Sequence, residues 1–129
     1  MNSTRTTRAL FLMAAIYDGA LGLAFLFVPS LVFERFDVMP PNHLGYVHFP
    51  AALLLVFAWM FLDIARNPFA HVSLIRYGIL MKASYSGVVL YHWFRSGVPP
   101  MWKPFAIMDL IFIVMFVWAF RVLSDTKKN

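Results

Sequence analysis

Four long apolar runs constrain the fold of this chain more than any other feature. They cover about residues 9–28, 46–64, 73–94 and 105–123, roughly 19–22 residues each. A helix rises about 1.5 Å per residue, so about 20 residues cross a hydrocarbon core of about 30 Å. Membrane-spanning strands need only about 9–11 residues of alternating polarity, a pattern that these runs lack. The sequence therefore predicts four membrane-spanning α-helices.

The composition excludes an ordinary water-soluble globule. Hydrophobic residues make up 61% of the chain and charged residues 13%, against about 45–50% and about 25% in soluble domains. The formal net charge of +5 fits basic residues at membrane edges better than nucleic-acid binding. The chain has no cysteine, which excludes a disulfide-bonded secreted scaffold.

Prolines occur in each of the segments between the apolar runs, and those connecting segments are short. Short connections require neighbouring helices to run antiparallel. We therefore predict an all-α fold, in which residues 1–129 form a single transmembrane domain, an up-down four-helix bundle. The first connection is predicted to be a charged loop that contains Glu34, Arg35 and Asp37. The prolines are Pro29, Pro40, Pro41, Pro50, Pro68, Pro99, Pro100 and Pro104.

The distribution of lysine and arginine predicts the orientation in the membrane. Seven of these residues fall on the side that holds the N-terminus, the second connection and the C-terminus, and three fall on the other side. Because cytoplasmic loops carry the excess of basic residues, both termini are predicted to be cytoplasmic. The lipid bilayer is the expected partner, and no nucleic acid is expected.

Three charged residues lie deep in the predicted spans, and the others lie near span ends. Asp18 and Lys82 are near the midpoints of the first and third spans, and Asp109 lies in the outer half of the fourth. A charge at the bilayer centre costs at least about 2.5–3.5 kcal/mol, so such residues usually find partners. We predict that the three form one buried polar cluster, whose charge is −1 when all are ionised.

Polar neighbours could complete the hydrogen bonding of this cluster, namely Tyr17, Tyr85 and Ser86. Two interpretations of the cluster remain open at this point. It could be a proton relay, an ion path or a polar ligand site, or it could be an ion-pair network that fixes helix order and register.

Small residues on the first helix predict close helix packing. Ala15, Gly19 and Gly22 are spaced so that they lie on one side of the helix, where they let another backbone approach. The partner would be another helix of the bundle or another copy of the protein.

Three histidines, His43, His48 and His92, fall on the outer side and are weak candidates for a metal or haem site. Their spacing matches no metal-binding motif. The cofactor is therefore left unassigned, and no catalytic residue is predicted.

The chain resembles the small four-helix bacterial inner-membrane proteins called DoxX-like. The matching features are Asp18 to Gly22 (DGALG) with the following Pro29, the mid-span Lys82, the turn Gly97-Val98-Pro99 and Asp109. The resemblance implies a multi-pass protein of the bacterial inner membrane, often an accessory component, and it carries over no catalytic residue.

Three functions fit the sequence. The first is a non-enzymatic accessory or self-associating component, either a homo-oligomer or part of a larger membrane complex, whose core is organised by the polar cluster. The second is a small proton-coupled transporter or a membrane protein that binds a hydrophobic ligand at that cluster. The third is a redox-associated subunit that binds a quinone, haem or metal.

Overall fold

The computed structural model describes residues 2–128, which form five α-helices and no strand. The helices are α1 (Asn2–Phe27), α2 (Pro29–Arg35), α3 (Gly45–Arg66), α4 (Val72–Arg95) and α5 (Trp102–Lys128). The fold is therefore all-α. The four apolar runs fall on α1, α3, α4 and α5.

The short helix α2 lies in the first connection, where the sequence predicts a loop. Pro29 is in its first turn, a position that suits proline because the N–H of this residue would be unpaired anyway. Phe33 is buried and anchors the helix. Asp37, with φ of 55°, ends it: its N–H donates to the carbonyl of Glu34, and the N–H of Val38 donates to that of Phe33. This is the Schellman arrangement of a helix C-terminus.

The four long helices associate as two pairs. α1 packs along α3 and α4 packs along α5, whereas contacts between the two pairs are sparse. The backbones of α1 and α4 scarcely approach each other. Side chains must therefore provide most of the connection between the pairs.

An aromatic core joins the two pairs at the end where α1 begins. Phe11 of α1 stacks on Phe116 of α5 with ring centroids 4.6 Å apart, and Phe61 of α3 lies 5.3 Å from Phe116. All three rings are fully buried. Aromatic rings at such distances favour defined relative orientations. This core therefore fixes how the α1/α3 pair meets the α4/α5 pair. Its other buried members are Leu10, Ala14, Ala15, Ile64, Val72, Ile75, Phe112, Ala119 and Leu123.

Three of the described helices are long and apolar enough to cross a membrane. They are Ser3–Phe27, Gly45–Arg66 and Trp102–Lys127. Helix α4, which contains the third predicted span, is not among them. Its polar residues lower its mean hydropathy, and Arg76 and Lys82 are charged. Length and composition thus support three spans rather than the four that the sequence predicts.

The predicted small residues on α1 include one, Gly22, at which α3 leaves no room for a side chain. A methyl group at Gly22 would lie 2.9 Å from the carbonyl oxygen of Ala51. At Gly19 it would lie 3.7 Å from Cβ of Ala58, an ordinary contact. Ala15 is buried in the aromatic core. Gly19 and Gly22 therefore lie where α1 packs along α3.

Replacing Gly22 by alanine should destabilise the protein. The methyl group would crowd a backbone oxygen, so we expect Gly22→Ala to lower the free energy of unfolding by about 1–2 kcal/mol after the gain in helix propensity. Gly87→Ala on α4 is the matched control, since a methyl group there would meet nothing within 4 Å. Unfolding by sodium dodecyl sulfate in mixed micelles, followed by circular dichroism, measures both. Equal stability of the two variants would contradict the close approach.

Candidate functional site

Lys82 connects three helices in the middle of the molecule. Its Nζ lies 2.7 Å from Oδ1 of Asp18 on α1 and 3.0 Å from Oδ1 of Asp109 on α5. The side chains of Lys82 and Asp18 are 1% exposed and that of Asp109 is 9% exposed. The structure thus brings together the three charges that the sequence places inside the membrane. The long lysine side chain spans the separation between α4 and α1.

Aromatic rings surround the same ammonium group. Nζ of Lys82 lies 4.9 Å from the ring centroid of Phe112, 5.3 Å from that of Tyr17 and 5.9 Å from that of Phe61. A cation over a desolvated aromatic face gains up to about 2 kcal/mol. The rings and two carboxylates together compensate the burial of the charge, which otherwise costs several kcal/mol.

The cluster holds one more acid than the lysine requires. Two carboxylates and one ammonium carry a net charge of −1 when ionised, whereas one carboxylate would neutralise Lys82. Oδ2 of Asp18 is buried and has no hydrogen-bond partner in the structure. A buried acceptor without a partner is costly, which marks this oxygen as a place where a donor would bind.

The polar neighbours are near the cluster, but no hydrogen bond joins them to the carboxylates. The hydroxyl of Tyr85 donates to the backbone carbonyl of Trp102 at 3.3 Å. The hydroxyl of Ser86 donates to the carbonyl of Lys82 itself at 2.8 Å, within α4. The hydroxyl of Tyr17 is buried and unpartnered. Of these residues, only Tyr17 contacts the charged groups, through its ring.

A cavity of about 740 Å³ extends from the cluster toward the end of the molecule opposite the aromatic core. Asp18 and Asp109 both line it, at the end where the cluster lies. Ligand pockets have volumes of about 300–1,000 Å³, apolar walls and a few polar groups. Besides the two acids, the lining consists of Tyr17, Leu21, Phe25, Phe33, Val38, Met39, Pro41, Tyr46, Val47, Pro50, Ala51, Leu53, Leu54, Phe57, Met81, Ser84, Tyr85, Pro99, Met101, Trp102 and Phe105.

The sequence does not single out most of these wall residues. Phenylalanines such as Phe25, Phe57 and Phe105 occur in apolar spans, where lipid-facing and cavity-facing positions look alike. Phe33 reaches the cavity from α2, the helix that the sequence prediction omits. A detectable signal is Pro29 followed by ten residues, 30–39, without glycine or proline, because proline is typical of the first turn of a helix.

The three histidines do not form a metal site. In residues 2–128, no group of three His, Cys, Asp or Glu side chains could hold a metal ion. Nδ1 of His43 accepts a hydrogen bond from the N–H of Gly45 at 2.9 Å, which supports the start of α3. The ring of His92 packs edge-on against Tyr91, and His48 lies in the first turn of α3.

Comparison with protein families, with curated proteins and with solved structures finds no match of any of the three kinds. The cluster and the cavity are therefore the features that bear on function.

Replacing Lys82 alone should destabilise the protein strongly. Lys82→Met leaves two buried carboxylates without a cation, so we expect a loss of about 3–5 kcal/mol in the free energy of unfolding. The triple variant Asp18→Leu, Lys82→Met, Asp109→Leu buries no charge and should recover most of that loss. Unfolding in mixed micelles measures both variants. If Lys82→Met were as stable as the natural protein, the ion pairs would not hold the two helix pairs together.

Proposed function

We propose that this protein is a four-span protein of the bacterial inner membrane that binds a hydrophobic ligand in the cavity above the polar cluster. Its termini are cytoplasmic in this proposal, as the distribution of basic residues predicts. Helix α4 is the fourth span. It has 24 residues, enough to cross the hydrocarbon core, and Lys82, its one charge at mid-span, is paired with two acids.

The observation that carries the proposal is the cavity that reaches the two acids. A cluster with a purely structural role would need no cavity beside it. Here Asp18 and Asp109 instead form the polar end of an otherwise apolar cavity. This combination of apolar walls and a few convergent polar groups is typical of sites that bind small hydrophobic molecules.

The cavity also favours ligand binding over the other two functions. An accessory or self-associating component needs the cluster to hold its helices together, but it has no need for a cavity beside it. A subunit built around a metal ion needs several ligating side chains, and the described residues offer no group of three His, Cys, Asp or Glu that could hold one. A quinone remains within the class of hydrophobic ligands.

The ligand enters, we infer, from the bilayer between α3 and α4. These helices belong to different pairs and make few contacts. Leu53 of α3 and Ser84 of α4 both line the cavity and both are exposed. In a membrane, the exposed side of this seam faces lipid, from which a hydrophobic molecule can move sideways into the cavity.

The topology can be tested directly because the chain has no cysteine. Asn42→Cys lies in the first connection and Thr126→Cys lies near the C-terminus. In intact cells, a membrane-impermeant maleimide should label Asn42→Cys, and it should label Thr126→Cys only after the membrane is permeabilised. Labelling of both or of neither in intact cells would overturn the proposed four-span topology.

Filling the cavity should displace its ligand. Leu54→Trp adds a large ring to the cavity wall, whereas Leu80→Trp makes the same change at a position that is 61% exposed. Native mass spectrometry of protein extracted gently from its own membranes should show a bound hydrophobic molecule in the natural protein and in Leu80→Trp. We expect its occupancy to fall at least about tenfold in Leu54→Trp, equivalent to about 1.4 kcal/mol.

An empty natural protein, or equal occupancy in the two tryptophan variants, would contradict ligand binding in this cavity. A stable complex with another subunit and no small molecule would favour the accessory function instead.

A further inference from the structure

We propose that the cavity selects amphiphiles with a positively charged head, such as a primary ammonium, which binds at the free oxygen of Asp18. This inference rests on the proposed function and adds to it the chemical class of the ligand. The tail would occupy the apolar cavity and the head would complete the polar cluster.

The net charge of the polar cluster favours a cationic head. Lys82 is one cation between two acids, each with an oxygen within 3.0 Å of Nζ. One further monovalent cation would balance the two carboxylates, whereas an anionic head would add a third negative charge in a region of low dielectric constant. Like charges brought together in such a region repel strongly.

The two carboxylate oxygens of Asp18 have different surroundings. Its Oδ1 accepts the hydrogen bond from Lys82, and its Oδ2 is buried without a partner. Lys82 binds Oδ1 of this carboxylate, and a ligand ammonium would bind its second oxygen, Oδ2. The two cations would then share two anions, and the buried acceptor would gain the charge-assisted hydrogen bond that it lacks.

The composition of the cavity wall also favours a cationic head. Among the residues that the structure describes, the lining contains two acids and no Lys, Arg or His. Lys82 is bound behind the acids and does not line the cavity. The walls are rich in aromatic rings, including Tyr17 and Tyr85 near the acids, and such rings favour an ammonium group. The lining residues therefore include no basic side chain that could neutralise a carboxylate or a phosphate.

The charge of the whole protein makes this selectivity testable. The formal net charge is +5, so non-specific electrostatic attraction would favour an anionic amphiphile. A preference for a cation would therefore have to come from a local site of opposite charge.

Three probes with the same twelve-carbon tail separate the effect of the head from that of the tail. They are dodecylamine, dodecanol and dodecanoate, titrated at neutral pH into the purified full-length protein in a non-ionic detergent. Trp102 lines the cavity, so tryptophan fluorescence reports binding. We expect dodecylamine to bind at least about tenfold more tightly than dodecanol, and dodecanoate to bind most weakly.

The variant Asp18→Asn tests the position of the head. It keeps an oxygen that can accept from Lys82 and leaves the neutral pair of Lys82 and Asp109. The ratio of the dodecanol Kd to the dodecylamine Kd should fall from at least about tenfold to near one, while dodecanol binding is retained. Asp63→Asn is the control, because Asp63 lies 3.8 Å from Arg66 at the far end of α3, outside the cavity. It should keep the ratio of the natural protein.

Each outcome decides a different point. Equal binding of the three probes or a preference for dodecanoate would overturn the selectivity. An unchanged ratio in Asp18→Asn would overturn the binding of the head at Asp18. Either result leaves hydrophobic-ligand binding intact. Absence of saturable binding for all three probes, together with an empty protein from native membranes, would overturn the proposed function as well. If Asp18→Asn does not fold, the probe series on the natural protein and on Asp109→Asn decides the selectivity.

Discussion

The buried ammonium of Lys82 is the interaction on which the arrangement of the helices depends. The α1/α3 pair and the α4/α5 pair have few backbone contacts with each other. Lys82 reaches from α4 to Asp18 on α1 and to Asp109 on α5. In hydrocarbon, apolar side chains gain little by leaving lipid for protein, so polar bonds and close packing carry much of helix association. A charge that finds its partners only in the assembled state therefore defines which helices meet and at what depth.

The cluster also divides the molecule into two unlike halves. On one side, Phe11, Phe61 and Phe116 pack closely and leave no room for a ligand. On the other side, the same helices enclose a cavity of about 740 Å³. Asp18 and Asp109 lie at this boundary and line the cavity, while Lys82 lies behind them. The closely packed half holds together the helices that line the open half.

Much of this arrangement could be predicted from the sequence, for physical reasons that are specific to membranes. The long helices are readable because hydrocarbon requires about 20 apolar residues per span. The association of Asp18, Lys82 and Asp109 is readable because buried charges need partners. Composition does not mark α4 as a span, since Lys82 and its other polar residues lower its mean hydropathy.

The cavity was not predictable, because it depends on differences that composition does not record. Phe25 and Phe105 line the cavity, whereas Phe27 is 72% exposed, yet all three occur in apolar surroundings. Helix α2 was missed because its charged C-terminal residues suggested a loop. The unpartnered Oδ2 of Asp18 depends on side-chain geometry, which becomes visible only when the helices are in place.

The surplus acid has a consequence for how the chain can change over evolutionary time. Loss of either aspartate leaves a neutral ion pair, which a buried site tolerates, whereas loss of the lysine first leaves two anions in a low-dielectric interior. If the triad of Asp18, Lys82 and Asp109 is lost by single substitutions, an acid is therefore expected to be replaced before the lysine. A lineage that loses the triad is therefore expected to pass through a lysine paired with a single aspartate.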